Sequence, residues 1–558
     1  MCLTGLLFAC YDDKGNYDYN EINQITIQGI DSLIRCDQMD LLYIPVTLEG
    51  TQYADTNRFT YFWEINRKTV STAKDLNVYV NFPLGENEAR FVVTDKELGT
   101  KAFKYFKINV SSSTASDGIL VLSKYKGHAE LSFKRLDKEG SVFTPNFYEA
   151  LTGNYLGTNP RKIHRNYVPE ADNENSGLKI ETDHQIKCLS EETLQEIGEN
   201  TILDHNFFIR RASNLPSGDI VDFDVKVFAH LPVTMEGGFG KSTYIFTIAG
   251  DEFWLDQAML ISFGGMSQTM CLTFMQMKSP WKGRLSPAMF LSALVEKELQ
   301  SYVTPSAMYM FDETVGQFCY NNLAGSGNIG VPALGTYDGY SLLFGTHTAT
   351  KDHAVAVLSD GADYRMLYLN LPSGGQSVLA DLSVSGNIIN ETTSYYPMKN
   401  EAYMLFATND KLYRYNLREL ENNVAPGNSN VFVELSKWGY SAEAKITCMS
   451  VSRTEREILL GVSRYGDDTE GMSEELKGDV LVLDLKTGEL VKKYEGVAGV
   501  PVDVKIKYQK WLRDGKEGGE YCRYALFLDF RDLAIESFMP FYRYFLLIDF
   551  HFLSIPED

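Results

Sequence analysis

The sequence predicts an all-β protein built as two bodies, a β-sandwich over residues 22–110 and a β-propeller over residues 118–558. Three observations carry that expectation. Short strand-like runs follow one another through the first hundred residues, and strand–turn hairpins recur through the rest. The composition, with 44 Gly, 33 Tyr and 32 Phe, favours strands and turns.

The first element is not part of either body. An apolar run from Leu3 to Ala9 ends in a small residue directly before Cys10, and the chain then turns polar at Asp12-Asp13-Lys14-Gly15-Asn16. The run falls well short of the roughly twenty residues that span a bilayer, so it reads as the core of a signal peptide. A small residue followed by cysteine is where a bacterial lipoprotein signal is cut and the thiol takes up lipid. Residues 1–9 are therefore read as a signal-peptide remnant, Cys10 as the lipidated first residue of the mature chain, and 10–21 as a tether. No Lys or Arg precedes the run, which places the expected start codon upstream.

Totals exclude some classes of function. A formal charge of −22 opposes binding to nucleic acid, whose phosphates it would repel, and opposes binding to anionic lipid by charge. No run of eighteen apolar residues exists, so no helix is expected to cross a membrane. Beyond Cys2 and Cys10, six cysteines (Cys36, Cys188, Cys271, Cys319, Cys448 and Cys522) are scattered without a C-x-x-C pair, against zinc ribbons and thioredoxin-like chemistry. Export permits disulfides, but spacing does not pair these residues, and buried thiols are as good a reading.

The sandwich is expected from Ile25–Ile27, Tyr43–Leu48, Phe59–Ile65, Val78–Val80, Arg90–Val93 and Phe103–Val110, each short and separated by turn residues. The small polar stretch Ser111–Asp117 reads as a linker. Beyond it, apolar runs end in an Asx residue and usually turn at a glycine. Examples are Met308–Asp312 to Gly316, Met366–Asn370 to Gly374, and Val480–Asp484 to Gly488, with Lys411–Asn416 lacking the glycine and Leu136–Gly140 a weaker first member. The anchors Asp312, Asn370, Asn416 and Asp484 are 58, 46 and 68 residues apart, as blades with loop insertions would be. Residues 118–558 give seven blades of 63 residues or six of about 73, and seven is favoured. Helix is expected only at Ser190–Ile197 and Ser286–Leu299. The aromatic stretch Met539–Ser554 is expected to supply strands that close the ring.

Several motifs fail on inspection. Gly237-Gly238-Phe239-Gly240-Lys241-Ser242 lacks the earlier glycine of a phosphate loop, since Met235 stands there. His347 and His353 stand six apart, a spacing that would put them on one face of a strand but matches no metal geometry. Asp467-Asp468-Thr469-Glu470 with Glu474 and Glu475 lacks the alternation of a calcium loop. No serine sits in a G-x-S-x-G elbow. Paired carboxylates cannot be chosen from 74 Asp and Glu by sequence. Trp254, Trp281, Trp438 and Trp511 could stack on sugars or peptide side chains, with core filling the default. No cofactor and no metal site is expected.

The opening Cys10-Tyr11-Asp12-Asp13-Lys14-Gly15-Asn16-Tyr17-Asp18-Tyr19, followed by Ile25-Thr26-Ile27, resembles the PKD-like lipoproteins of Bacteroidetes. Tyr61-Phe62-Trp63 and Val93-Thr94-Asp95 through Gly99 resemble the aromatic strand and the V-x-D-x-x-x-G strand of PKD modules, while the W-D-F-G-D-G core is missing. The resemblance implies a PKD/immunoglobulin-like sandwich. It also implies export to the extracellular face of the outer membrane, with Asp12 and Asp13 as the export signal behind Cys10. Partners implied are a SusC-type TonB-dependent transporter and its SusD-type lipoprotein. The function expected on that basis is a non-catalytic accessory subunit for nutrient uptake that binds oligopeptide or oligosaccharide. The alternatives are a surface hydrolase using propeller carboxylates, or a structural spacer.

Overall fold

The computed structural model of the chain describes residues 22–51, 56–166, 177–183, 185–196, 202–203, 223–229, 242–249, 252–263, 266–276, 283–286, 288–291, 307–322, 329–348, 350, 352–372, 375–398, 401–452, 454–465 and 476–507. The chain is all-β and divides into two compact units between Ser113 and Thr114.

The first unit is the sandwich. Its larger sheet has five strands in the order Leu33–Asp37, Lys101–Ser111, Gly85–Asp95, Phe59–Ile65 and Lys68–Ser71. The first pair is parallel and the others antiparallel. Two ribbons complete it: Ile25–Gln28 with Thr47–Gly50, and Leu41–Ile44 with Leu76–Tyr79. Alternation along Gly85–Asp95 turns Ala89, Phe91 and Val93 inward, where they meet Trp63, Leu76, Val80 and Ile108. Trp63 is fully buried, stands 4.4 Å from the Phe91 ring, and donates its indole N–H to the Ala73 carbonyl at 3.0 Å. Truncating it to alanine would open a cavity costing about 3–5 kcal/mol.

The V-x-D-x-x-x-G pattern has a physical reason here. Asp95 is fully buried, and both its oxygens accept from Arg58 Nε at 2.9 Å. One of them also accepts from the backbone N–H groups of Glu97 and Leu98. Gly99 donates to the Asp95 carbonyl with φ +68°, a conformation that favours glycine. The carboxylate thus builds the turn, and the glycine closes it.

Among the described residues the second unit is a propeller of seven antiparallel sheets. Blade 1 joins Val500–Lys507 to Gly118–Tyr125 and His128–Arg135, with Thr144 bridged to Phe133 as the outer edge. Blades 2 to 7 have four strands each and occupy 162–203, 223–276, 290–330, 341–384, 394–434 and 445–498. Strands in the middle of a blade, such as Glu457–Ser463 and Gly478–Asp484, are buried on both faces and carry nearly unbroken apolar runs. Neighbouring blades pack face to face. Leu405, Leu412, Ile446 and Leu460 join blades 6 and 7, and Leu459 and Val480 meet Ile119, Val121 and Val504 of blade 1. At the next joint, Asp503 of blade 1 accepts from the backbone N–H of Ile163 in blade 2 at 2.9 Å.

Ring closure comes from Val500–Lys507, which gives blade 1 its innermost strand, so the two ends of the propeller chain lock within one sheet. The expected closing stretch Met539–Ser554 lies outside the described residues. The expected turns form: Asp484 accepts from Thr487 N–H at 2.8 Å with Gly488 at φ +70°, and Asp312 accepts from Thr314 N–H at 2.8 Å with Gly316 at φ +63°. Their places differ, however. Asn370, Asn416 and Asp484 end the third strand of a blade, whereas Asp312 ends the second strand of blade 4. That offset is one reason the spacing looked irregular.

Two expected helices do not form as read. At Ser190 the hydroxyl accepts from Glu192 and Thr193 N–H as an N-cap would, but the chain makes one turn before Glu196 bridges back to Leu189. In the other segment Phe290–Leu291 is a strand paired with Tyr309 and Met308, and 292–299 lies outside the described residues. Among the described residues the α-helices are Phe147–Thr152 and Arg418–Glu421.

Candidate functional site

Antiparallel order fixes the two faces of the propeller. Loops joining second to third strands, and those leading from one blade to the next, share one face; the remaining loops share the other. The first of these faces carries the site.

In blade 5 the chain enters through Tyr337, whose N–H donates to the Gly316 carbonyl at 2.7 Å, and Tyr340 follows just before the innermost strand Ser341–His347. The loop before the third strand begins at Asp360, whose carboxylate accepts from Ala362 and Asp363 N–H at 2.8 and 2.7 Å. This Asx turn sets Asp363 where the Tyr340 hydroxyl donates to it at 2.8 Å and the Ser383 hydroxyl at 2.7 Å. Arg365, two residues on, donates through Nε to Asp381 of the fourth strand at 2.8 Å. Its guanidinium lies 6.0 Å from the Tyr337 ring centre, and the Tyr337 hydroxyl donates to Asp381 at 3.3 Å.

The electrostatics follow from these bonds. The Ser383 and Tyr340 hydroxyls hold the Asp363 carboxyl below its ordinary range, and two backbone N–H groups do the same for Asp360. Hydrogen bonding to Asp381 holds Arg365 firmly protonated. Burial pushes the Tyr337 hydroxyl up to about 12. The patch stays open, with side-chain exposures of 37% for Asp363, 32% for Arg365 and 30% for Asp381. Charged acceptors held by one arginine and flanked by two tyrosine rings suit hydrogen-bonding and stacking on a polar ligand.

Blade 7 repeats the same chemistry in closed form. Asp479 accepts from Tyr440 hydroxyl at 2.5 Å, Arg464 Nε at 2.6 Å and Gly496 N–H at 2.8 Å. Arg464 also meets Glu495 at 2.6 Å, and Lys493 Nζ lies 4.4 Å from the Tyr440 ring centre. Here the Asp479 side chain is fully buried and Arg464 is 14% exposed.

A third cluster is closed as well. Glu130 in blade 1 is fully buried, and its carboxylate accepts from Glu149 N–H at 2.9 and 3.1 Å. Burial pushes its carboxyl up to about 8. Nearby, Lys187 reaches Glu196 at 2.9 Å and the Tyr148 hydroxyl at 3.4 Å, and Tyr148 donates to Glu196 at 2.6 Å. An acid so perturbed invites a catalytic reading, although the Glu130 side chain is fully buried.

Cys10, Asp12 and Asp13 lie outside the described residues, as do Gly237–Lys241, Asp467–Glu475, Trp281 and Trp511, and the side chain of Trp254. Trp438 is partly buried against the core shared by blades 6 and 7. His347 and His353 are not on one strand: they flank the turn between the first two strands of blade 5. His353 Nδ1 lies 2.5 Å from the Tyr368 hydroxyl. Among the described residues no three His, Cys, Asp or Glu side chains gather as metal ligands. Cys319 and Cys448 are buried free thiols and Cys36 is a partly buried one. Sequence reading missed the blade 5 patch because its members come from three separate segments; the one local signal is Asp360-Gly361-Ala362-Asp363, a turn between two apolar runs.

The PKD-like family model matches residues 10–160, the sandwich together with the first two chain-order strands of blade 1. No curated protein matches the sequence. Among solved structures, a quinoprotein alcohol dehydrogenase-like protein from Bacteroides thetaiotaomicron is 13% identical, with a TM-score of 0.44, over 85% of this chain and 96% of its own. A putative 6-phosphogluconolactonase from Bacteroides uniformis is 9% identical, with a TM-score of 0.37, over 70% and 99%. The WD40 domain of SCAP from fission yeast is 12% identical, with a TM-score of 0.30, over 68% and 87%.

Proposed function

We propose that this chain is a surface-exposed outer-membrane lipoprotein, anchored through Cys10, that serves as a non-catalytic accessory subunit of a SusC/SusD-type importer. The observation that carries the reading is the start of the PKD-like match at residue 10, the cysteine that directly follows the apolar run Leu3–Ala9. The blade 5 patch supports the binding role, since Asp360 and Asp363 are held charged and Arg365 protonated, as acceptors and donors rather than as a proton-transfer pair. Its ligand is an oligopeptide or oligosaccharide.

The anchor is tested by fractionation. One acyl chain holds a protein only marginally, whereas the several chains of a lipoprotein hold it firmly. Cys10→Ala should release the protein from membranes or leave it unprocessed; retention in the outer membrane without its partners overturns the anchor. The importer role is tested by detergent extraction of native outer membranes, where the chain should co-purify with a TonB-dependent barrel and its lipoprotein lid. Extraction of the chain alone would overturn that role. Glu130 is the observation behind the second reading, a surface hydrolase. Incubation with peptide and glycan pools separates the two: turnover supports the hydrolase, and saturable binding without cleavage the accessory subunit.

A further inference from the structure

The sandwich carries one outer face with little charge. On the ribbon of Leu41–Ile44 and Leu76–Tyr79, Leu41 lies opposite Tyr79, and Tyr43 opposite Asn77. Leu42 and Ile44 turn into the core, which leaves Leu41, Tyr43 and Tyr79 outward, each more than half exposed. Pro45, Asn77 and Asn81 continue the same exposed surface. No Asp, Glu, Lys or Arg stands among these six, in a chain where such residues make up 23%; a carboxylate at their edge, Asp75 beyond Asn77, is tied to the Val46 N–H at 2.8 Å. The other sheet's exposed aromatics contrast with this. Phe103 and Tyr105 alternate with exposed Lys101 and Lys107, and Arg90 beside Tyr105 pairs with Glu64 at 2.8 Å.

We propose that the Leu41–Tyr43–Tyr79 face rests on the lipid headgroup layer beside the protein's own anchor. The inference rests on the anchored reading above. Residues 11–21 can extend to roughly 40 Å at most, so the sandwich is held within that distance of the bilayer. Tyrosine pairs an apolar ring with a polar hydroxyl and settles where hydrocarbon meets water. A chain of charge −22 approaches a headgroup surface most easily through a face where carboxylates are few. Lipid anchor and face together then hold more firmly than either does alone, because the tether turns the second contact into an intramolecular one.

The test supplies the anchor chemically, so that it does not depend on lipidation in the cell. The chain carries a hexahistidine segment in place of residues 1–10 and is loaded on phosphatidylcholine vesicles containing a nickel-chelating lipid. The imidazole needed to release half of the protein is compared with that for the double variant Tyr43→Asp/Tyr79→Asp and the control Phe103→Asp/Tyr105→Asp. The face variant should release at several-fold lower imidazole, the control should match the parent, and both should keep the parent's unfolding midpoint because the altered side chains are exposed. Equal release of parent and face variant overturns the inference while leaving the anchor to the Cys10→Ala result. Equal release on vesicles together with loss of membrane proteins co-purified from cells would make the face a protein interface, which also overturns it.

Discussion

Blades 5 and 7 carry the same set of groups in different surroundings. Each has a tyrosine just before the innermost strand, an aspartate at or just before the start of the third strand, an arginine, and a second carboxylate on the fourth strand. In blade 7 the aspartate is fully buried and donors surround it; in blade 5 it is 37% exposed and its ring of partners faces water. Burial, more than composition, decides what such a set does. A closed set is committed to the fold, because each removal leaves a charge unpaired in a poorly solvated place. An open set can exchange a partner for a ligand at small cost.

Asp479→Ala breaks the comparison most directly. It leaves the Arg464 guanidinium beneath Tyr440 with only the exposed Glu495 for a partner and orphans the Gly496 N–H and the Tyr440 hydroxyl, and should cost about 3 kcal/mol of stability in a denaturant titration. The matching Asp363→Ala in blade 5 should cost under about 1 kcal/mol, since water can take over its bonds. Equal costs would mean that the two clusters are alike and that the blade 5 patch is structural.

Glu130 sharpens the point with pH. Its folded carboxyl is raised to about 8 by burial, well above the ordinary value of 4.5. The native state therefore keeps a proton that the unfolded chain has released, so stability falls as pH climbs from about 4.5 to about 8. Glu130→Gln should flatten that slope and stabilise the protein by a few kcal/mol at pH 9 relative to the parent. Urea midpoints at pH 5 and pH 9 for both proteins give the answer, and an unchanged slope would mean that the carboxyl is not closed off from water.

The ligand-binding consequence is of the size of one or two contacts. Tyr337→Ala or Arg365→Ala should weaken binding of a ligand selected from peptide or glycan pools by roughly tenfold, while moving the unfolding midpoint little. Arg464→Ala should do the reverse. Isothermal titration beside thermal unfolding for the three variants decides between the two blades.

Much of this was legible beforehand, for reasons tied to particular residues. The sandwich announced itself in short apolar runs between turn residues; Phe103–Val110 alternates with period two because one face of its strand is buried. Asx turns at Asp312 and Asp484 needed only their own side chains and a glycine. The closing strand Val500–Lys507 was not legible, because its partner Gly118–Tyr125 lies nearly four hundred residues earlier. Nor were the clusters: Tyr340, Asp363, Arg365 and Asp381 meet through register across a blade, which no local pattern encodes. The same separation hid Asp479 among Tyr440, Arg464 and Gly496.

The smallest expected effect is also the most specific. Ser383 and Tyr340 each donate one hydroxyl to Asp363, on different oxygens, and together they lower its carboxyl below 3.8. Tyr340→Phe removes one donor and leaves the ring, so it should cost well under about 1 kcal/mol at pH 7 once solvent screening is counted. A group whose folded value is lowered contributes stability above its unfolded value and loses it as pH falls through the folded one. The penalty of Tyr340→Phe should therefore fade below pH 3.8, and so should that of Ser383→Ala. Parent, single and double variants measured at pH 7 and pH 2.5 form a double-mutant cycle at each pH. If the coupling at pH 7 is unchanged once acid has protonated Asp363 itself, the two hydroxyls act through packing, and the open cluster of blade 5 is not the charge-held counterpart of blade 7.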